Sequence, residues 1–267
     1  MIDLSTPVTN DGYEHDPVTI DTLNPRQGAE HMAATVKEKM GIEFDVDLLP
    51  EGEMLSLERV SLTSHTGTHV DAPAHYGSRT QYGEGVPRSI DQMPLEWFFG
   101  PGRVVDVSAL AGPVISASEL QQACRDAAPI EPGDIVLLHT GADQLAGTPE
   151  YFTNFKGIDG PGCEWLLDQG VRVIGTDAFS LDGPFGHMLT TYLQTRDQTA
   201  LWPAHFVGRR REYCQIERLA NLDQLVGETF TLACFPIAIA GAGAGWARAV
   251  AMVDDEVDPK SSANSRR

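Results

Sequence analysis

Three of the chain's eight histidines and one aspartate fall within eleven residues, and this cluster restricts the possible folds more than any other feature. Its members are His65, His69, Asp71 and His75. Imidazoles and a carboxylate held this close together are costly to bury unless another group compensates them. A divalent metal ion does so, because neutral imidazole and ionised carboxylate are ligands that zinc and manganese bind well. The cluster therefore predicts a metal site.

The same segment predicts extended or turning backbone and not an α-helix. Pro73 has no backbone N–H and biases the residue before it toward extended conformations. In a strand, His69 and Asp71 point to the same face, and Gly67 permits the turn that returns His65 to their side. We therefore expect three ligands to converge here, with the last histidine of the cluster following a bend.

Residues 65–75 resemble the His-x-Gly-Thr-His-x-Asp-x-Pro-x-His signature of the metal-dependent cyclase and kynurenine formamidase family, which also includes isatin hydrolases. The resemblance implies that the residues matching its metal ligands, His65, His69 and Asp71, bind a metal ion. It implies that His75 is either a catalytic base or a ligand to a second metal. Both roles remain open at this point.

The resemblance extends over most of the chain. His205 and Glu217 stand twelve residues apart and match the histidine and glutamate that complete a two-metal site in the family's formamidases. The resemblance therefore implies a divalent metal cofactor, Zn or Mn, with one or two ions per subunit. Further matches to the family are its opening strand, the end of a central strand and a Gly-x-Asp-x-x-Ser-x-Asp segment, found here at 2–5, 138–141 and 175–182.

Length and pattern predict one α+β domain over residues 1–253 and a polar, disordered tail over 254–267. The resemblance implies the swivelling β/β/α fold of the family, with the metal in a cleft lined by the central sheet. It also implies a homodimer or higher homo-oligomer. Short runs rich in Val, Ile, Leu and Phe predict strands at 54–62, 103–107, 134–139, 171–175 and 229–239. Capping residues and periodicity predict helices at 31–40, 116–127 and 160–169.

Charge and composition exclude several classes of partner. A formal net charge of -19 makes binding to nucleic acid unfavourable, since phosphates would be repelled. No apolar run has the roughly 20 residues that cross a bilayer, so no membrane partner is expected. The four cysteines are widely spaced and suggest no disulfide framework, which fits a cytoplasmic location. The basic run 209–211 is a solvated or salt-bridged turn, or a contact for an anionic substrate.

Two reactions need the same ligands. A metal ion can stabilise the enolate formed when His75 removes a proton from a polyketide chain, or it can activate water to attack an amide carbonyl. Segments 75–77, 91–98 and 241–248 are most similar to aromatic polyketide cyclases of antibiotic-producing bacteria. We therefore predict an aldol- or Claisen-type cyclase acting on a polyketide intermediate, with formamidase-type or isatin hydrolase-type amide hydrolysis as the alternative. Candidate substrate-binding residues are Trp97, Asp177, Trp246 and Arg248.

Overall fold

The structure is a computed structural model that describes residues 1–127 and 129–253. Its contacts divide into two compact units, one formed by Met1–Pro7 with the chain from Ser64 onward and the other by Val8–Thr63. The strands are β1 (Ile2–Asp3), β2 (Thr19–Leu23), β3 (Leu57–Ser61), β4 (His69–Asp71), β5 (Phe99–Asp106), β6 (Val114–Ile115), β7 (Ile135–His139), β8 (Gly157–Ile158), β9 (Val173–Thr176), β10 (Cys214–Glu217), β11 (Phe230–Ala233), β12 (Ala244–Trp246) and β13 (Val250–Val253). The α-helices are α1 (Pro25–Met40), α2 (Pro73–Tyr76), α3 (Ala117–Asp126), α4 (Gly160–Asp168) and α5 (Phe185–Thr195).

The larger unit is built on one sheet, which has nine strands within the described residues, in the order β1-β13-β11-β5-β7-β9-β10-β4-β12. Strands β5, β7, β9 and β10 run parallel in its centre, and β4 pairs antiparallel with both β10 and β12. Alternate residues of β7 enter different apolar clusters. Ile135 and Leu137 belong to one cluster, and Val136 and Leu138 belong to the other. The sheet is therefore buried on both faces, as expected for parallel strands.

The smaller unit contains α1 and the antiparallel pair β2–β3, in which Thr19 lies opposite Ser61. Every residue of β3 is exposed. Gly28 of α1 is required by close packing, because a Cβ there would lie 1.9 Å from the carbonyl oxygen of Leu55. Close contact between the backbone of α1 and the backbone at Leu55, more than burial of side chains, therefore determines how this unit packs.

Helix predictions succeed where capping signals are local. The predictions at 116–127 and 160–169 are confirmed as α3 and α4. Ser116 caps α3, since its hydroxyl accepts the Glu119 amide while the Glu119 carboxylate accepts the Ser116 amide. The prediction at 31–40 begins too late, because α1 starts at Pro25 behind the capping residue Asn24. α5 is not predicted, because Gly186 and three threonines lower its helix propensity.

The predicted mixed α+β fold class is confirmed by the central sheet and its helices. The strand predicted at 229–239 is too long, since β11 ends at Ala233, before Pro236. A single domain over 1–253 stays a prediction, and the tail predicted at 254–267 lies outside the described residues. Among the described helices, none is both long and apolar enough to cross a membrane.

Candidate metal centre

Strand β4 supplies the central pair of side chains. His69 and Asp71 are two residues apart and share one face of the sheet, whereas Val70 between them enters the apolar core on the other face. Antiparallel pairing places Glu217 of β10 directly opposite His69. The Glu217 side chain therefore lies on the same face as His69 and Asp71, although it is distant in the sequence.

The turn before β4 adds the first histidine. Gly67 has a φ of 65°, a conformation that favours glycine. His65 Nδ1 lies 3.2 Å from His69 Nε2 and 3.0 Å from Asp71 Oδ1. The ring of His69 is fixed by a hydrogen bond from its Nδ1 to the Gly67 carbonyl, 2.9 Å long, which leaves Nε2 directed at His65 and Asp71. The convergence expected from the sequence is present.

His75 lies on α2, a single helical turn that the sequence analysis does not predict. Pro73 occupies the first helical position, where the missing N–H costs nothing because that donor would have no intrahelical partner. His75 Nε2 is 3.9 Å from Asp71 Oδ2. His205, in the 3₁₀ turn His205–Arg209, brings its Nε2 to 3.8 Å from the same oxygen.

The two carboxylates stand between two pairs of imidazoles. Asp71 Oδ1 faces His65 and His69, while Asp71 Oδ2 faces His75 and His205. Glu217 divides in the same way, with Oε2 3.7 Å from His69 Nε2 and Oε1 3.7 Å from His205 Nε2. The six predicted ligands thus form two overlapping sets that share both carboxylates, since His65, Asp71 and His75 also offer ligand atoms within 4.8 Å of one another.

The chemistry of the donor set fits divalent metal. Asp71 is fully buried, and within the described residues no group donates a well-aligned hydrogen bond to either of its carboxylate oxygens. Yet four imidazole nitrogens lie 3.0–3.9 Å from these oxygens. Lone pairs that converge without protons between them are the arrangement that a cation satisfies.

Without a bound metal ion, burial and the neighbouring charges shift the pKa values of the carboxylates and imidazoles in this site. Burial opposes ionisation of Asp71, but the surrounding imidazoles hold its pKa well below the usual range. Burial and the negative charge of Asp71 raise the pKa of Glu217. Burial lowers the pKa of His75 to about 4, against the attraction of Asp71. A cation bound among these groups competes with protons for the same nitrogen and oxygen lone pairs.

Asp182 completes the site and carries no prediction of its own. Its carboxylate accepts the backbone N–H groups of Ala204 and His205 at 2.5 and 3.1 Å, and it forms a short hydrogen bond with His205 Nδ1. Burial opposes protonation of His205, but Asp182 and Asp71 together raise its pKa well above the ordinary value. The bond at Nδ1 directs Nε2 to the two shared carboxylates. The sequence signal was present, since Asp182 ends the matched segment 175–182.

Arg218 is a second buried group with no sequence prediction. It has a φ of 63°, and one guanidinium nitrogen donates to the His65 carbonyl at 3.2 Å. Its carbonyl accepts the Thr68 hydroxyl at 2.6 Å. Arg218 therefore ties the end of β10 to the turn that carries His65. Its guanidinium also lies near the rings of Tyr151, Phe152 and Phe179.

The four candidate substrate-binding residues have different surroundings. Trp97 packs on the apolar core beneath two guanidinium groups, each 5.6 Å from its ring centroid. Asp177 is buried and accepts hydrogen bonds from Thr140 and Gly141, and burial raises its pKa. Arg248 pairs with Asp3 and is 74% exposed. Trp246 alone is in register with His69, across β12 and β4.

The basic run and the glycine-rich segment also have defined contacts. Arg209 donates to the Tyr76 carbonyl, whereas Arg210 and Arg211 pair with carboxylates of α4. These contacts match the salt-bridged turn expected from the sequence. In the glycine-rich segment, a Cβ on Gly243 would lie 3.0 Å from the backbone of His75. That glycine allows the chain to pass directly against the metal centre.

Comparison with known proteins gives a consistent assignment. The family model described as "Putative cyclase" matches residues 2–183. The chain is 32% identical over 205 residues to a kynurenine formamidase of Salinibacter ruber, covering 77% of this chain and 82% of that protein. It is 31% identical over 196 residues to a kynurenine formamidase of Maricaulis maris, covering 73% and 80%.

Solved structures share the fold. An isatin hydrolase bound to the product analogue thioisatinate superposes with a TM-score of 0.71 at 21% identity, covering 95% of this chain and 92% of that chain. Isatin hydrolase A from Ralstonia solanacearum gives 0.69 at 22% identity, covering 95% and 91%. The predicted swivelling fold of the cyclase and formamidase family is confirmed by these neighbours.

The prediction of a polyketide cyclase is wrong. The relatives described above are kynurenine formamidases, and isatin hydrolases share the fold. Hydrolysis, the alternative, has the better support. The prediction failed because both reactions need the same Lewis acid and proton acceptor, so the ligand set cannot separate them.

Proposed function

The chain belongs to the "Putative cyclase" family, and we propose that it is a metal-dependent hydrolase of an amide bond next to an aromatic ring. The observation that carries the proposal is the pair of unpartnered Asp71 oxygens, each facing two imidazoles. The names of the similar proteins supply the substrate class, which includes N-formylkynurenine and the lactam isatin.

Two ligand sets would hold the metal, which we propose to be zinc or manganese. His65, His69 and Asp71 Oδ1 would hold one ion, and His205 and Asp71 Oδ2 a second, with Glu217 between them. A bound ion supplies a polarised carbonyl and a more acidic water. Glu217 is positioned for both sets because its Oε1 is fixed by the amide of Leu181 at 2.9 Å.

His75 is the residue that we assign to proton transfer. The side chains of His69 and His205 are almost fully buried, whereas those of His75 and His65 are 35% and 34% exposed. Of these two exposed rings, His75 is the farther from Asp71, at 3.9 Å against 3.0 Å for His65. An imidazole at the open edge of the site can accept the proton of the attacking water and deliver it to the leaving nitrogen. Hydrolysis then breaks the C–N bond and yields a carboxylate and an amine. As a ligand, His75 would instead hold the second ion, and the mutation described in the Discussion separates these roles.

We further propose that the protein is a cytoplasmic homodimer or higher homo-oligomer. Its cysteines are all buried and free, as suits a reducing compartment. Leu57 and Val60 of β3 are 48% and 49% exposed, and apolar side chains on an exposed strand favour a protein contact. Light scattering on the purified protein measures the mass, and a monomer at micromolar concentration would contradict the proposal.

The decisive experiment measures hydrolysis of N-formylkynurenine and of isatin by protein stripped with a chelator and reloaded with zinc or manganese. We expect turnover of at least one substrate only after metal is restored. Equal turnover before and after stripping, at metal contents verified by elemental analysis, would contradict the metal role. Inactivity toward both substrates with two ions bound would contradict the substrate class.

A further inference from the structure

Trp202 has a backbone conformation that is unusual for a large aromatic residue. Its φ is 53°, and it precedes Pro203. Positive φ is a genuine outlier for a bulky side chain, and it persists only where the surroundings impose it. Such residues concentrate at sites where a side chain must be held in a particular direction.

The contacts that impose this conformation also fix the metal centre. Asp182 holds the amides of Ala204 and His205, and the Tyr213 hydroxyl donates to the Ala204 carbonyl at 2.7 Å. The Trp202 amide lies 3.2 Å from the sulfur of Met188. The turn is thus held on both sides of Trp202, and the carboxylate that orients His205 also fixes the backbone two residues after Trp202.

The ring of Trp202 connects the metal centre with the surface. It meets His205 edge to face, with centroids 5.4 Å apart at 68°, and stacks on Phe185 at 5.9 Å and 25°. Phe185 begins α5 and is 52% exposed. We call these two rings, Trp202 and Phe185, the aromatic platform.

Core packing does not account for the platform. Neither ring belongs to the apolar clusters formed by the described residues. The turn that carries Trp202 also borders a cavity of about 780 Å³, which is lined by Met188, Leu201 and Pro203 but by neither ring of the platform. Neither the apolar core nor that cavity therefore accounts for the position of the two rings.

We propose that the aromatic platform binds the planar aromatic group of the substrate and thereby selects aryl amides over alkyl amides. The inference rests on the proposed hydrolase function and names the group that recognises its substrate class. A planar ring stacks on indole and phenyl faces, whereas a saturated ring of equal size presents axial hydrogens that prevent close stacking. Because the Trp202 ring lies 5.4 Å from the His205 ring, a substrate ring held on the platform lies beside the metal centre.

The test compares formanilide with N-cyclohexylformamide, which differ mainly in planarity. Trp202→Gly removes the ring and suits the positive φ, and Phe185→Ala removes the exposed ring. Leu193→Ala is the matched control, because Leu193 lies on the same helix and is also 52% exposed. We expect Trp202→Gly to lower the phenyl-to-cyclohexyl ratio of kcat/KM about 3- to 10-fold, mainly through KM. The metal content of Trp202→Gly and the phenyl-to-cyclohexyl ratio of Leu193→Ala should equal those of the wild type.

A binding measurement separates the platform from the reaction. Calorimetry with benzoate and cyclohexanecarboxylate reports aromatic preference on the metal-loaded protein without turnover. If the wild type hydrolyses neither formamide, the proposed function fails while this preference still tests the platform. An unchanged preference in metal-replete Trp202→Gly overturns the inference. Should that variant not fold, unchanged preferences in Phe185→Ala overturn it equally.

Discussion

Replacing Asp182 by asparagine tests how the protein orients a metal ligand without touching the ligand itself. The carboxylate accepts the amides of Ala204 and His205 and pairs with His205 Nδ1. Asparagine has nearly the same shape, but its NH₂ group donates. Its NH₂ group must therefore face a backbone N–H donor, and where it faces His205 Nδ1, that ring must adopt the tautomer that carries its proton on Nε2, the nitrogen directed at the shared carboxylates.

The magnitude follows from the lost bond. A hydrogen bond to a charged group contributes about 1.5–3 kcal/mol, and each 1.4 kcal/mol corresponds to a factor of ten. We therefore expect the affinity for the ion at His205 to fall about 10- to 150-fold. His69 is fixed separately by the Gly67 carbonyl, and His65 Nδ1 lies 3.0 Å from Asp71 Oδ1. The ion at that set should be retained.

The assay is competition of zinc between the protein and a chromogenic chelator, with elemental analysis after dialysis. Bound metal should fall from about two ions per chain toward one, and hydrolysis should fall about 10- to 100-fold. Asp106→Asn is the matched control, because Asp106 pairs with His139 Nδ1 at 3.1 Å outside the metal centre. Retention of both ions at wild-type affinity by a folded Asp182→Asn protein would refute the reasoning.

Three further predictions follow from the same structure. His75→Ala should keep the fold and most of the metal but lose turnover. Circular dichroism, elemental analysis and initial rates measure these three properties, and unchanged turnover would remove His75 from the mechanism. With free metal at about 1,000 times its Kd, binding should add about 4 kcal/mol to the free energy of unfolding. Removing the metal with a chelator should therefore lower Tm by about 8–16 °C in calorimetry. An unchanged Tm would show that metal does not bind the folded site. Gly208→Ala should lower the free energy of unfolding, measured in urea, by about 1–3 kcal/mol, because the new Cβ would lie 2.0 Å from the buried Tyr76 ring. Gly186→Ala is the control and should leave that free energy unchanged, because its Cβ would have no atom within 4 Å.

Local patterns in the sequence were sufficient for part of the fold. The Ser116 capping box marks the start of α3, and the apolar run at 134–139 marks β7, because both depend on neighbours within a few residues. Alternation placed His69 and Asp71 on one face of β4 for the same reason. α2 was missed because Pro73 was interpreted as excluding a helix, whereas it is the first helical residue.

The chemistry required the wider comparison. The same ligands serve enolate formation and amide hydrolysis, so the segments around them decided the prediction, and they favoured the wrong reaction. Similarity to kynurenine formamidases over most of the chain corrected it. A metal site therefore indicates the class of activation but not the bond that is broken.

The sequence by itself determined the metal-binding character of residues 65–75, since closely spaced imidazoles and a carboxylate have that chemistry wherever the chain places them. Only the tertiary structure showed that the Asp71 oxygens divide the imidazoles into two sets, that Asp182 orients His205, and that Trp202 continues the site to the surface. These relations depend on the pairing of β4 with β10 and on contacts between distant segments. Such contacts are set by packing of the whole domain, which no local pattern encodes.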